Sequence, residues 1–349
     1  MIVLDTAKFV SKIPISVFEN VIKNNLGITN EQLLIIGDRG LSNSHLLSPI
    51  LTNAFSLAAN NLGITHSTVY QTPKGRGESA DIVMLKQLKN LPPKSTIIVN
   101  VSNRMGNMSY LGSSFRKFCK AQGHRFISTS SLGMVDNSLL PKLVQAFDTN
   151  AYEIQRAALR LKAVLDEARE IQVYTPAGTD LVVPIATRKA LVASGVYTEP
   201  GTGGNAIPGE VYLAPDPQSV RGRLVIDGSI RTLSKTFLVK KPVECSVNRG
   251  DITSWNNTPE SRLLRETISW AHKKAKNPTG LRRIGELGIG LNPQAKIIGT
   301  TIVDEKAAGT CHAAIGSNNW FGGDVKSMIH LDQVMKDPEF RVDGRFLRF

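Results

Sequence analysis

The chain has only three cysteines, Cys119, Cys245 and Cys311, far apart and with no CxxC pair. An odd, scattered set excludes a disulfide framework and a zinc finger. Cys311, next to His312, reads as a nucleophile or soft ligand on one account and as a small buried strand thiol on the other. No apolar run reaches the roughly eighteen residues a membrane helix needs, because Pro, Asn, Ser or Lys interrupts each candidate. The opening MIVLDTAKFVSKIPIS has no basic start, apolar block and small-residue cleavage site, so a cytoplasmic protein is expected. The GxGxxG, GxSxG, HExxH and P-loop signatures are missing, which argues against dinucleotide-binding, serine-hydrolase, zincin and nucleotidase readings. Nor is there an internal repeat. The net charge of +13 is carried by short scattered clusters such as KGRGE, FRKFCK and HKKAK, without an aromatic-interleaved stripe. Nucleic acid is therefore not the expected partner, nor is a membrane.

A chain of 349 residues with 41% hydrophobic content can bury two cores. Over residues 1–150, short β-type runs alternate with helical stretches. LLIIG (Leu33–Gly37), HSTVYQ (His66–Gln71), STIIVNVS (Ser95–Ser102) and RFISTS (Arg125–Ser130) read as buried strands. This alternation predicts a doubly wound, mostly parallel α/β domain. A long amphipathic helix, Ala151–Glu170, has Ile154, Ala157, Ala158, Leu161, Val164, Leu165 and Ala168 as its apolar stripe and is expected to bridge two domains. Beyond it, two-residue alternation with Gly-rich turns predicts an α+β domain over 151–349 with a largely antiparallel sheet. One helix interrupts it, with Thr258 as cap and Pro259 in its first turn.

Chemistry concentrates near the end of this second domain. On a strand, His330 and Asp332 in IHLD point to the same face, as they would not on a helix. His312 lies in TCHAAIG, a second β-type run separated from the first by turn-forming residues. Imidazole nitrogens with a carboxylate suit zinc, manganese, cobalt or iron, although the same residues can be satisfied core polar groups. Glu286, in a glycine-rich apolar run, and Glu210, just after a Pro-Gly turn, add the acids that a two-metal hydrolytic centre requires. His45, His66, His124 and His272 have no acidic neighbours in the chain and read as structural or surface residues.

GELGIGLNPQAKIIGTTIVDEKAAGTCHAAIG followed by FGGDVKSMIHLD resembles the C-terminal signature of the aminopeptidase T-type metallo-aminopeptidases. TPAGTDLVVPI and NAIPGEVYLAP resemble upstream segments of that family, in the same order. The resemblance covers about Glu170 to Asp343. It implies a cytoplasmic, homodimeric metallopeptidase removing N-terminal residues from short peptides with two divalent ions (zinc, cobalt or manganese). Its ligands would fall on Glu210, Glu286, His312, His330 and Asp332, with Glu286 as bridge or catalytic base. The sequence departs from that family at Asn319, where the family carries a tyrosine; an amide cannot supply a phenol. An alternative with the same fold is a ring-cleaving dioxygenase of dihydroxypyridines, which needs one ferrous ion on two histidines and a carboxylate, a set that His312, His330 and Asp332 satisfy. A third reading is a non-catalytic relative that binds a partner or nucleic acid.

Overall fold

The computed structural model describes residues 6–112 and 114–348. The first five residues of the stretch read for a leader lie outside them. The chain forms two compact units, one of Met1–Tyr152 with Gly195–Pro208 and the other of Glu153–Ser194 with Gly209–Phe349. Among the described residues no helix is long and apolar enough to cross a membrane.

The first unit is a doubly wound α/β structure. Its parallel sheet runs in the order His66–Gln71, Leu33–Asp38, Thr96–Asn100, Arg125–Thr129, Gly203–Asn205. Leu33–Asp38 and Thr96–Asn100 are buried along their whole length, as strands covered on both faces must be. That is why they read as unbroken apolar runs. The fifth strand was not legible: Gly203-Gly204-Asn205 has the composition of a turn, and only pairing with Phe126–Ser128 makes it a strand. Residues 195–208, which the sequence placed with the second domain, thus complete the first unit's sheet. Helix Phe115–Gln122 shows the local logic clearly. The Ser114 hydroxyl accepts from the Lys117 N–H at its start, and Gly123 closes it at φ 70°.

The second unit is α+β and antiparallel. Helix Ala151–Glu167 buries Ile154, Ala158, Leu161 and Leu165 but leaves Val164 at the surface, so the stripe is narrower than the sequence suggested. One seven-stranded sheet runs Asp251–Trp255, Val243–Asn248, Arg221–Ile226, Asp180–Pro184, Glu170–Tyr174, Glu339–Val342, Arg345–Phe346. The other runs Thr236–Leu238, Ser229–Arg231, His330–Lys336, Thr310–Gly316, Ile284–Gly290, Glu210–Leu213, Leu191–Ala193. Both sheets contribute to one apolar core, which also takes in Leu264, Ile268 and Ala271 of helix Pro259–Lys274. Thr258 caps that helix by accepting from the Ser261 N–H, with Pro259 at its start, as its sequence predicts.

Alternation in the second sheet then separates structure from chemistry. Leu213, Leu287, Ile289, Cys311, Ala313, Ile315, Leu331 and Met335 enter the core. Their neighbours in sequence, Glu210, Glu286, His312, His330 and Asp332, are turned to the opposite face. The buried, unreactive setting of Cys311, whose thiol is pushed far up by burial, follows from its being on the core side.

Candidate metal centre

Four neighbouring strands supply the five residues. Thr310–Gly316 pairs with His330–Lys336 so that Ala314 faces Asp332 and Gly316 faces His330. On its other side it pairs with Ile284–Gly290, where His312 faces Gly288. A methyl group at Gly288 would lie 2.1 Å from His312 Cε1, so only glycine leaves room for the imidazole. A bulge between Ile284 and Glu286 shifts the register just where Glu286 enters the site. Glu210 arrives from the next strand, paired with Gly290.

The side chains converge as two overlapping groups, Glu210–Glu286–His312 and Glu286–His330–Asp332, whose ligand atoms lie within 4.8 Å of one another in each group. Glu286 is common to both. Its Oε1 lies 3.3 Å from His312 Nε2 and its Oε2 lies 3.4 Å from His330 Nε2. His312 Nε2 is 3.1 Å from Glu210 Oε1, and His330 Nε2 is 3.1 Å from Asp332 Oδ1. His330 Nδ1 donates to the Ser317 carbonyl at 2.7 Å. That bond fixes the tautomer and aims the free Nε2 at the carboxylates, the arrangement metal-binding histidines adopt. The donor set therefore fits a divalent transition metal.

Electrostatics follows from this crowding. Burial pushes both imidazoles toward the neutral form. The bonds to Glu210 and Glu286 nevertheless hold His312 well above its ordinary pKa, and Asp332 raises His330 to about 10. Without a cation, protons on the two histidines compensate the acids. Burial raises Glu286, whereas His330 brings Asp332 well below the carboxylate range despite its burial.

Sequence reasoning missed one member. Lys306 is fully buried, and its ammonium bonds Glu210 and, at 2.7 Å, Glu305. Burial would lower its pKa, but these two carboxylates raise it well above the usual lysine value. Burial also lifts Glu305 to about 7. In the chain, Lys306 sits among DEKAAG like any solvated lysine, and no signal marks it. Asn319, by contrast, is exposed and accepts a hydrogen bond from the Ser317 hydroxyl at 2.8 Å, so it takes no part in the cluster.

The family model for 2,5-dihydroxypyridine 5,6-dioxygenase (NicX) matches residues 18–347. A curated 2,5-dihydroxypyridine 5,6-dioxygenase of Pseudomonas putida is 26% identical over 202 residues, 55% of this chain and 56% of the relative; the chain thus spans about half the length of that relative. Among solved structures, a 2,5-dihydroxypyridine dioxygenase of Pseudomonas putida superposes with a TM-score of 0.70 at 18% identity, covering 95% of this chain and 94% of that one. The aminopeptidase AmpT of Thermus thermophilus superposes at 0.62 and 15% identity, covering 95% and 96%. The aminopeptidase T assignment is corrected by these matches, and with it the hydrolase, the metallopeptidase and the peptide substrate. At this identity the likeness to AmpT shows a shared fold, and a shared fold does not carry the reaction with it.

Proposed function

The chain belongs to the NicX family of 2,5-dihydroxypyridine 5,6-dioxygenases, and from that premise we propose that it opens the ring of a dihydroxylated pyridine with dioxygen. In this reading one ferrous ion is held among His312, His330, Asp332 and Glu286, a histidine-and-carboxylate set suited to non-haem iron. The observation that carries a single metal is Lys306. Its ammonium bonds Glu210 and Glu305, so Glu210 already has a cation partner, and Glu286 and Asp332 are the carboxylates left beside the two histidines for one divalent cation. A second divalent ion beside Glu210 would meet a buried ammonium at close range, which is unfavourable at low dielectric.

Bound iron supplies the redox chemistry that dioxygen requires. The protein's own groups do the rest. His330 is oriented by Ser317, and His312 is seated against Gly288. His330 is the most exposed of the five side chains, at 23%, and Asp332 follows at 11%, so substrate reaches the cluster from their side. His312, Glu286 and Glu210 lie behind them, shielded from water. This gives an order of approach along the sheet face, from open to closed.

The test is metal content and oxygen uptake together. Chain loaded anaerobically should hold one iron per protomer and consume dioxygen only when a dihydroxypyridine is added. Two ions per chain, or release of amino acids from aminoacyl amides with no oxygen uptake, would refute the proposal.

A further inference from the structure

Trp320 is 61% exposed although it lies beside the cluster. Its ring stands edge-on to His330, with centroids 4.8 Å apart and planes at 69°. Phe321 packs edge-on against Trp320 at 5.2 Å and against Tyr212 at 5.4 Å, so the three rings form one aromatic cluster, a wall beside the centre. The wall stands next to His330, the open side of the centre. The segment carrying it is held firmly. Asn318 donates from its side chain to the Gly285 carbonyl at 2.8 Å and accepts from the Val325 N–H at 2.8 Å. Arg188 donates to the Gly322 carbonyl at 2.7 Å. An indole fixed at an open metal centre and left in water is an amphipathic ring in want of a flat partner.

We propose that Trp320, backed by Phe321, is the platform on which the planar substrate ring lies as it approaches the metal, and that it sets the preference for aromatic over saturated rings. This rests on the dioxygenase reading for the identity of the ring, but not for the platform itself. Trp320 is a positioning and specificity residue: it touches the substrate and takes no part in bond making.

The experiment compares wild type with Trp320→Ala, Trp320→Phe and, as control, Trp270→Phe, whose indole lies on helix Pro259–Lys274. Ring binding is measured by anaerobic calorimetry with iron-loaded chain, using 2,5-dihydroxypyridine, 3-hydroxypyridine and piperidine. Turnover is measured separately. Trp320→Ala should weaken binding of both planar rings and raise KM about tenfold, with kcat within roughly threefold, as loss of an aromatic stacking partner does. Trp320→Phe should restore most of the affinity, and piperidine should bind no better to wild type than to Trp320→Ala. Trp270→Phe should match wild type. Planar-ring affinity unchanged in Trp320→Ala overturns the platform, as does a failure of wild type to bind any planar ring. 2,5-Dihydroxypyridine that binds through Trp320 without being consumed leaves the platform standing and refutes the dioxygenase reading instead. Retained iron content in Trp320→Ala excludes a collapsed centre as the cause.

Discussion

His124 in the first unit and His312 in the second are both completely buried, yet they behave in opposite ways. His124 follows helix Phe115–Gln122, with its ring 5.5 Å from Phe118 and no carboxylate within reach among its described contacts. Burial lowers its pKa, and the Ser95 backbone only partly restores it. His312 suffers the same burial, but Glu210 and Glu286 reverse the direction. Burial alone makes a histidine a neutral core residue; burial with two acids makes it a ligand waiting for a cation.

The contrast can be broken most severely at His312. His312→Ala should reduce metal affinity by more than the roughly 10–100-fold that loss of an outer-shell partner costs, and should abolish turnover. His124→Ala should leave metal content untouched. Titration of both variants with ferrous ion, followed by metal analysis, checks this pair directly.

Lys306→Met sharpens the contrast from the other side, by removing the cation already present. Leaving Glu210 and Glu305 buried without their shared ammonium should cost about 3–5 kcal/mol of unfolding free energy in metal-free protein, although His312 still faces Glu210. Added manganese or zinc should recover part of it, with stoichiometry rising from one ion per chain toward two. A variant as stable as wild type without metal would show that the ion pair contributes nothing.

A pH series separates the two histidines more gently. Because the folded pKa of His124 lies below the unfolded value of 6.5, the unfolded chain takes up a proton that the fold refuses. The first unit should therefore lose stability as pH falls through 6.5, and His124→Phe should flatten that dependence. Hydrogen exchange of peptides covering 115–129 between pH 7.5 and 5.5 reports on this unit alone.

The smallest effect belongs to Asn319. It is exposed and bonded only to Ser317 within the described network, so Asn319→Tyr should change stability by no more than about 0.5 kcal/mol. It should create no activity on aminoacyl amides. Appearance of such activity would mean that one residue separates the two reactions on this fold.

Much of the site was readable because strands alternate with a period of two. His330 and Asp332 had to share a face, and Glu286 stood out as a carboxylate in a glycine-rich apolar run, where an unpaired charge is costly. The pairing of the two histidine strands also follows from the turn residues between them. The choice of reaction was not readable from the ligands, since similar acids and histidines suit a one-metal oxidation and a two-metal hydrolysis equally. The aminopeptidase reading failed there.

The amino-acid sequence by itself determined the fold class and the five polar residues on the site face, because periodicity and turn chemistry are local. Tertiary structure alone decided the charge balance. It brought Lys306 from a short helical turn against Glu210, bulged Glu286 between the two histidines, and left Trp320 at the open side. Those outcomes depend on register and burial, which no local pattern encodes, and on electrostatics at low dielectric, which exists only once the sheet has closed over the site.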